Sequence, residues 1–170
     1  GMTRDEMAFA GARGVGLTVD TLPQLETYAG LVPGGSLGVR LNPGAGLGHH
    51  EHVITAGPQT KFGVPVEHAA RVRSEAARLG IRISGVHMHV GSNFLDGAPM
   101  LKLVDILLST ARLFPDLEWV SIGGGFGVAY KPSDRSLDLG AFGALLAARF
   151  AVFCKAYGKA VTLAVEPGRY

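Results

Sequence analysis

The 170-residue sequence predicts an α/β fold built on parallel strands. Three observations carry this reading. Short apolar runs rich in β-branched residues alternate with stretches of helical periodicity, the pattern of strands joined by crossover helices. The runs are nearly continuous in apolar character, as expected of strands covered on both faces. The 25 glycines gather at the ends of those runs, where loops let a ligand approach the backbone.

Taken in order, residues 3 to 12 (TRDEMAFAGA) read as a helix, and VGLTVDT (15 to 21) as the first strand. A short helix covers Pro23 to Tyr28, with Thr21 placed to cap it. SLGVRLNP (36 to 43) is the second strand, followed by a glycine- and histidine-rich loop from Asn42 to Phe62. Loops of that length are uncommon unless they are functional. A helix from Val66 to Leu79 ends at Gly80, a suitable C-terminal stop. IRISGVHMHVG (81 to 91) is the third strand, and the helix from Pro99 to Phe114 lays Leu103, Leu107 and Ala111 along one stripe. LEWVSIGGG (117 to 125) is the fourth strand. The last helix, Leu137 to Tyr157, stops at Gly158, and AVTLAVEPG (160 to 168) is the fifth strand. Two architectures accommodate this order: an open doubly wound sheet and a (β/α)8 barrel.

Composition narrows the function classes. The chain is 47% hydrophobic and 18% charged, which suits one globular domain over residues 1–170 and excludes a disordered chain. It is oilier than usual, which points to burial on several sides or to a missing partner surface. The net charge is +2 and the 16 Lys and Arg residues are scattered. Arg71, Arg73, Arg78 and Arg82 fall at helical spacing, as a solvated helix face does, and no nucleic-acid patch is expected. A single cysteine, Cys154, rules out a disulfide within the chain and fits a reducing, cytoplasmic setting. No secretory leader is recognisable, and the longest oily run, Ala141 to Cys154, carries Arg149 and is too short to span a bilayer.

The chemistry collects at strand ends. VRLNPG closes the second strand with Arg40 and Asn42. GVHMHVGS closes the third with His87, His89 and Ser92. SIGGGFG closes the fourth with Gly123, Gly124, Gly125 and Gly127, and VEPGR closes the fifth with Glu166 and Arg169. Carboxyl ends of parallel strands are where such folds keep their sites. GGGFG alone is either a tight strand-to-helix turn or an amide-lined phosphate cradle. Ser92 and Arg169 add a hydroxyl and a guanidinium, the remaining donors a phosphate asks for. His87 and His89, two apart, point to one face of a strand. They read either as a buried, hydrogen-bonded histidine beside a flat ring suited to stacking, or as the start of a metal site with ligands from GHHEH (48 to 52), although no histidine follows residue 89. Glu166 could ion-pair with Arg169, or could keep a pyridine nitrogen protonated so that the ring acts as an electron sink.

In this order VRLNPG, TKFG, GVHMHVGS, SIGGGFG and EPGRY resemble the fold-type III pyridoxal-phosphate decarboxylases, which act on diaminopimelate, ornithine and arginine and are built on the alanine-racemase-like barrel. RLNPG, HEHVITAG and GGGFGVAY are most similar to the diaminopimelate branch, whereas EPGRY is shared with ornithine decarboxylases. The resemblance implies a partial (β/α)8 barrel whose five strands correspond to the fourth through eighth. It implies pyridoxal 5'-phosphate as cofactor and an amino acid as substrate, without a metal. His89 would stack on the ring, with Arg40 near the ring and its hydroxyl. Ser92, Gly123, Gly124, Gly125 and Arg169 would hold the phosphate, and Glu166 would meet the ring nitrogen. Lys61 would be structural, in a loop packed by Phe62. The family's Schiff-base lysine sits in a Tyr-Ala-x-Lys context, and none of Lys61, Lys102, Lys131, Lys155 and Lys159 has it. The first barrel strands and the C-terminal β domain are likewise not found. Catalysis by this chain alone is therefore not expected, and two open sheet edges point to a homodimer or a complementing fragment. The other readings are a cofactor- or phosphate-binding module without catalysis and a metal-dependent barrel hydrolase using His87 and His89.

Overall fold

A computed structural model describes residues 2–44, 61–131 and 136–169. Its first helix, α1 (Arg4–Gly11), starts from a reciprocal cap: the Thr3 hydroxyl accepts from the Glu6 amide and the Glu6 carboxylate accepts from the Thr3 amide. Strand β1 (Thr18–Val19) leads to α2 (Leu22–Leu31), capped by Thr21 and carrying Pro23 in its first turn, where a missing amide costs nothing. β2 (Ser36–Asn42) is the longest strand. β3 (Val64–Pro65), which the sequence pattern did not reveal, runs into a 3₁₀ turn at Val66–His68 and then α3 (Ala69–Arg78). β4 (Arg82–His87), α4 (Gly97–Ala111, capped by Asp96), β5 (Trp119–Ser121), α5 (Leu139–Tyr157, capped by Asp138) and β6 (Thr162–Ala164) follow. Gly80 and Gly158 stop α3 and α5 at φ of 66° and 87°, where only glycine is unstrained.

Every strand pairing is parallel, and the order is β1-β2-β4-β5-β6 with β3 beside the end of β2. The strands follow one another without reversal. Right-handed crossovers in that order place every helix on the same face, which is barrel winding and not double winding. Helix α1 packs on α2, α2 on α3, and α4 on α5. Val19, Val39, Leu41, Val86, Met88, Val120 and Ile122 face the helices, each at most 2% exposed. Burial of this apolar face stabilises the fold.

The opposite face is set by register. One row across the sheet reads Thr18, Gly38, Gly85, Trp119, Thr162, and the row two residues on reads Arg40, His87, Ser121, Ala164. The β2–β4 register shifts by one residue at Leu37/Gly38, so Ser84 is the extra residue of a bulge. Without that bulge Ile83 and Gly85 would share a face. With it, Ile83 stays in the core while Gly85 and His87 align with Gly38 and Arg40 on the inner face. The Trp119 indole lies over both glycines: a Cβ on Gly85 would come within 1.9 Å of the ring, and one on Gly38 within 2.5 Å.

Three sequence expectations change. The strands are shorter than their apolar runs, because Gly91, Asn93, Gly123 and Gly125 adopt positive φ and take the backbone out of the ladder. Helix α4 begins at Gly97, since Pro99 lies in the first turn, where it is tolerated. Helix α5 spans 19 residues, long and apolar enough by length and composition to cross a membrane, which corrects the expectation of too short a run. Here it forms the crossover between β5 and β6, burying Phe142, Leu146, Phe150 and Phe153.

The indole-over-glycine packing makes a stability prediction. Gly85→Ala should cost about 1–3 kcal/mol in urea unfolding by overpacking. Combining it with Trp119→Leu should cost much less than the sum of the two single changes.

Candidate active site

The candidate site is built where β4, β5 and β6 end. Beyond β5 the backbone of Gly123, Gly124 and Gly125 runs so close to its neighbours that side chains have no room. A Cβ on Gly123 would lie 2.3 Å from the Met88 carbonyl oxygen, one on Gly124 2.1 Å from that of Glu166, and one on Gly125 2.1 Å from that of Gly91. Backbone hydrogen bonds close the gaps: Met88 N–H to Ser121 O at 3.0 Å, Ile122 N–H to Ala164 O at 3.1 Å, Glu166 N–H to Gly123 O at 2.9 Å and Phe94 N–H to Gly125 O at 3.0 Å. The three strand ends thus form one fixed unit.

Side chains converge on it. The Ser121 hydroxyl accepts from the Gly123 amide at 3.1 Å and lies 2.7 Å from Glu166 Oε1. An ionised carboxylate oxygen can only accept, so the Ser121 proton goes to Glu166. His87 Nε2 lies 3.2 Å from Glu166 Oε1 and 3.4 Å from Oε2, straddling the group. His89 Nδ1 accepts from the Gly124 amide at 3.3 Å, which fixes the ring and leaves its proton on Nε2 when neutral. Arg40 donates to the His89 carbonyl at 3.2 Å, sits 3.7 Å from Asp20 and has Phe62 within 5.1 Å of its guanidinium carbon. Lys61 Nζ lies 5.6 Å from the Phe62 ring centre.

Burial dominates the electrostatics. It pushes the His87 imidazole below its ordinary value, with attraction from Glu166 opposing and repulsion from Arg40 adding to the shift. It pushes His89 down as well, again with Arg40 adding and Glu166 opposing. Both rings therefore favour the neutral form, and Glu166 has neutral donors around it.

The structure brings Arg40, His89, Gly123, Gly124, Gly125 and Glu166 together. Ser92 stands beside Gly125, its Cα 3.5 Å from where a Cβ would be. Arg169 does not ion-pair with Glu166 among the described residues: its guanidinium carbon lies 5.7 Å from the Tyr130 ring centre. Two glycine amides expected to face a phosphate are already engaged, Gly123 with Ser121 and Gly124 with His89. Ser121 escaped the sequence reading. Counting back by two from Gly123 along SIGGG reaches it, on the row of Arg40 and His87. GHHEH and HEHVITAG lie outside the described residues. Among the described residues no three His, Cys, Asp or Glu side chains gather as a metal would need, and both imidazoles of the HMH motif are otherwise engaged.

The neutral, partly buried imidazoles set a pH dependence. The unfolded chain takes up protons at about pH 6.5 while the folded chain resists them, so stability present above that pH is lost as pH falls toward the folded values. The urea midpoint should drop between about pH 7.5 and about pH 5.5. His87→Gln should reduce the drop.

A family model described as "Pyridoxal-dependent decarboxylase, pyridoxal binding domain" matches residues 1–170. The diaminopimelate decarboxylase of Methanothermobacter thermautotrophicus is 36% identical over 173 residues, covering 98% of this chain and 40% of that protein. A diaminopimelate decarboxylase crystal structure superposes with a TM-score of 0.89 at 24% identity, over 99% of this chain and 40% of the other. The Helicobacter pylori diaminopimelate decarboxylase, solved with L-lysine, superposes with a TM-score of 0.87 at 23% identity, over 99% and 44%. The chain thus spans about 40% of the length of such relatives, and its fold is part of their barrel.

Proposed function

The chain belongs to the pyridoxal-binding-domain family of the pyridoxal-dependent decarboxylases, and from that premise we propose that it forms the ring clamp and phosphate cup of a decarboxylase acting on a diaminopimelate-like amino acid. The observation that carries the reading is the Glu166 carboxylate, half-exposed at a strand end yet held by Ser121 and His87 and lacking the arginine partner its sequence neighbourhood offered. A carboxylate so placed suits a protonated ring nitrogen, and the donor set around it suits the rest of the cofactor.

When bound, pyridoxal phosphate supplies the electron sink that takes up the charge left on the α-carbon as carbon dioxide departs. The protein's part is to bind and orient. His89, locked by the Gly124 amide, offers a flat neutral ring for stacking. Glu166 holds a proton on the ring nitrogen. Ser92, the Gly125 amide and Arg169 hold the phosphate, while the Gly123 and Gly124 amides act indirectly by fixing Ser121 and His89. Arg40 fills the wall beside the ring. With no lysine in the family's context among the five of this sequence, the imine-forming amine comes from elsewhere, from a complementing segment. A diaminopimelate-type substrate follows the names of the relatives. The unpaired Cys154 suits a cytoplasmic setting.

A titration with pyridoxal 5'-phosphate, then borohydride reduction and intact mass, tests this. Saturable binding without a covalent adduct is the expected result, and Glu166→Ala or Ser92→Ala should each weaken binding about tenfold. An adduct fixed on one of the five lysines would contradict the assignment of the missing amine. Absence of saturable binding would contradict the cup itself.

A further inference from the structure

We propose that His87 and Ser121 are positioning residues for Glu166, holding its carboxylate at two points so that the remaining acceptor site on Oε2 is presented to the cofactor ring. This deepens the reading above and rests on it. Glu166 follows the last residue of β6 by two positions, and its side chain is 52% exposed. A carboxylate in that situation would ordinarily sample several rotamers. Here it is tied down from inside the sheet.

The ties form a directed circuit. The Gly123 carbonyl accepts from the Glu166 amide, the Gly123 amide donates to Ser121 Oγ, and Ser121 donates to Glu166 Oε1. One glycine therefore fixes Glu166 at both its main chain and its side chain. His87 approaches from β4, its Nε2 shared between the two carboxylate oxygens. Its other ring nitrogen, Nδ1, is buried and has no hydrogen-bond partner among the described residues. A bare acceptor is cheaper to bury unpaired than an N–H donor, so the proton belongs on Nε2, facing Glu166. A charged ring would put a donor into that unpartnered position. The ionic groups around His87 are Arg40 on β2, Glu166 beyond β6 and His89 two residues further along its own chain. A neutral donor orients Glu166 without neutralising it, which leaves the full negative charge for a protonated ring nitrogen. An ionised carboxylate has about four acceptor sites. Ser121 and His87 take up part of that set and leave the rest open among the described residues.

The test is a double-mutant cycle read by pyridoxal 5'-phosphate affinity, together with ¹⁵N NMR of the histidine rings in the cofactor-free chain. His87→Leu should weaken binding about tenfold, His87→Gln should restore most of it by placing an amide N–H near the Nε2 position, and in a Glu166→Ala background His87→Leu should change affinity by less than about twofold. Circular dichroism checks that each variant folds. Undiminished binding by His87→Leu, or an equal loss with and without Glu166, would overturn the proposal. The NMR arm stands without the cofactor. The His87 ring should carry its proton on Nε2, and its shifts should move on Glu166→Ala or on Ser121→Ala, which frees the carboxylate. A ring protonated on Nδ1, or one that ignores both changes, would overturn it. If the wild-type chain binds no cofactor, the proposed cofactor cup fails while the NMR result still decides whether His87 and Ser121 hold Glu166.

Discussion

The ends of β4, β5 and β6 come closer together than any side chain would permit, and the site depends on that contact. At Gly123, Gly124 and Gly125 an added methyl would overlap the backbone oxygens of Met88, Glu166 and Gly91. Close approach lets Gly123 bond to Glu166 and lets Gly124 reach the ring of His89. Two of the three glycines also adopt positive φ, which a side chain would strain. The glycine run is therefore a joint that holds the His89 imidazole and the Glu166 main chain against one another's strand ends.

Register does the rest. Parallel pairing in sequence order puts the helices on one side, so the inner face is free to carry chemistry. The bulge at Ser84 turns Gly85 and His87 inward without pulling Ile83 out of the core. One layer of glycines and Trp119 forms the floor, and the next layer carries Arg40, His87 and Ser121. Floor and site are thus set by the same pairing, and an error of one residue would move both to the wrong face.

Much of this was legible in the sequence, for identifiable reasons. Several helices announced their ends through Thr21, Gly80 and Gly158, whose effects are local. Alternation of runs and helices gave parallel strands, and motif order gave Arg40, His89, the glycines and Glu166. Other features were not legible because they depend on contacts distant in sequence. Ser121 looks like an ordinary strand serine until β6 arrives beside it. The choice of partner for Glu166 fell to His87, 79 residues away, and not to Arg169, three residues away. β3 is two residues long and exists only because the end of β2 lies alongside. The bulge at Ser84 is visible only from pairing with Leu37 and Gly38.

The central claim is that Glu166, His89 and the Ser92–Gly125 corner surround one cofactor. A crystal structure of the chain grown with pyridoxal 5'-phosphate tests it most directly. The account places the ring nitrogen against Glu166, the ring against His89, and the phosphate at Ser92 and the Gly125 amide. A cofactor bound elsewhere, or one turned so that its nitrogen faces away from Glu166, would contradict it.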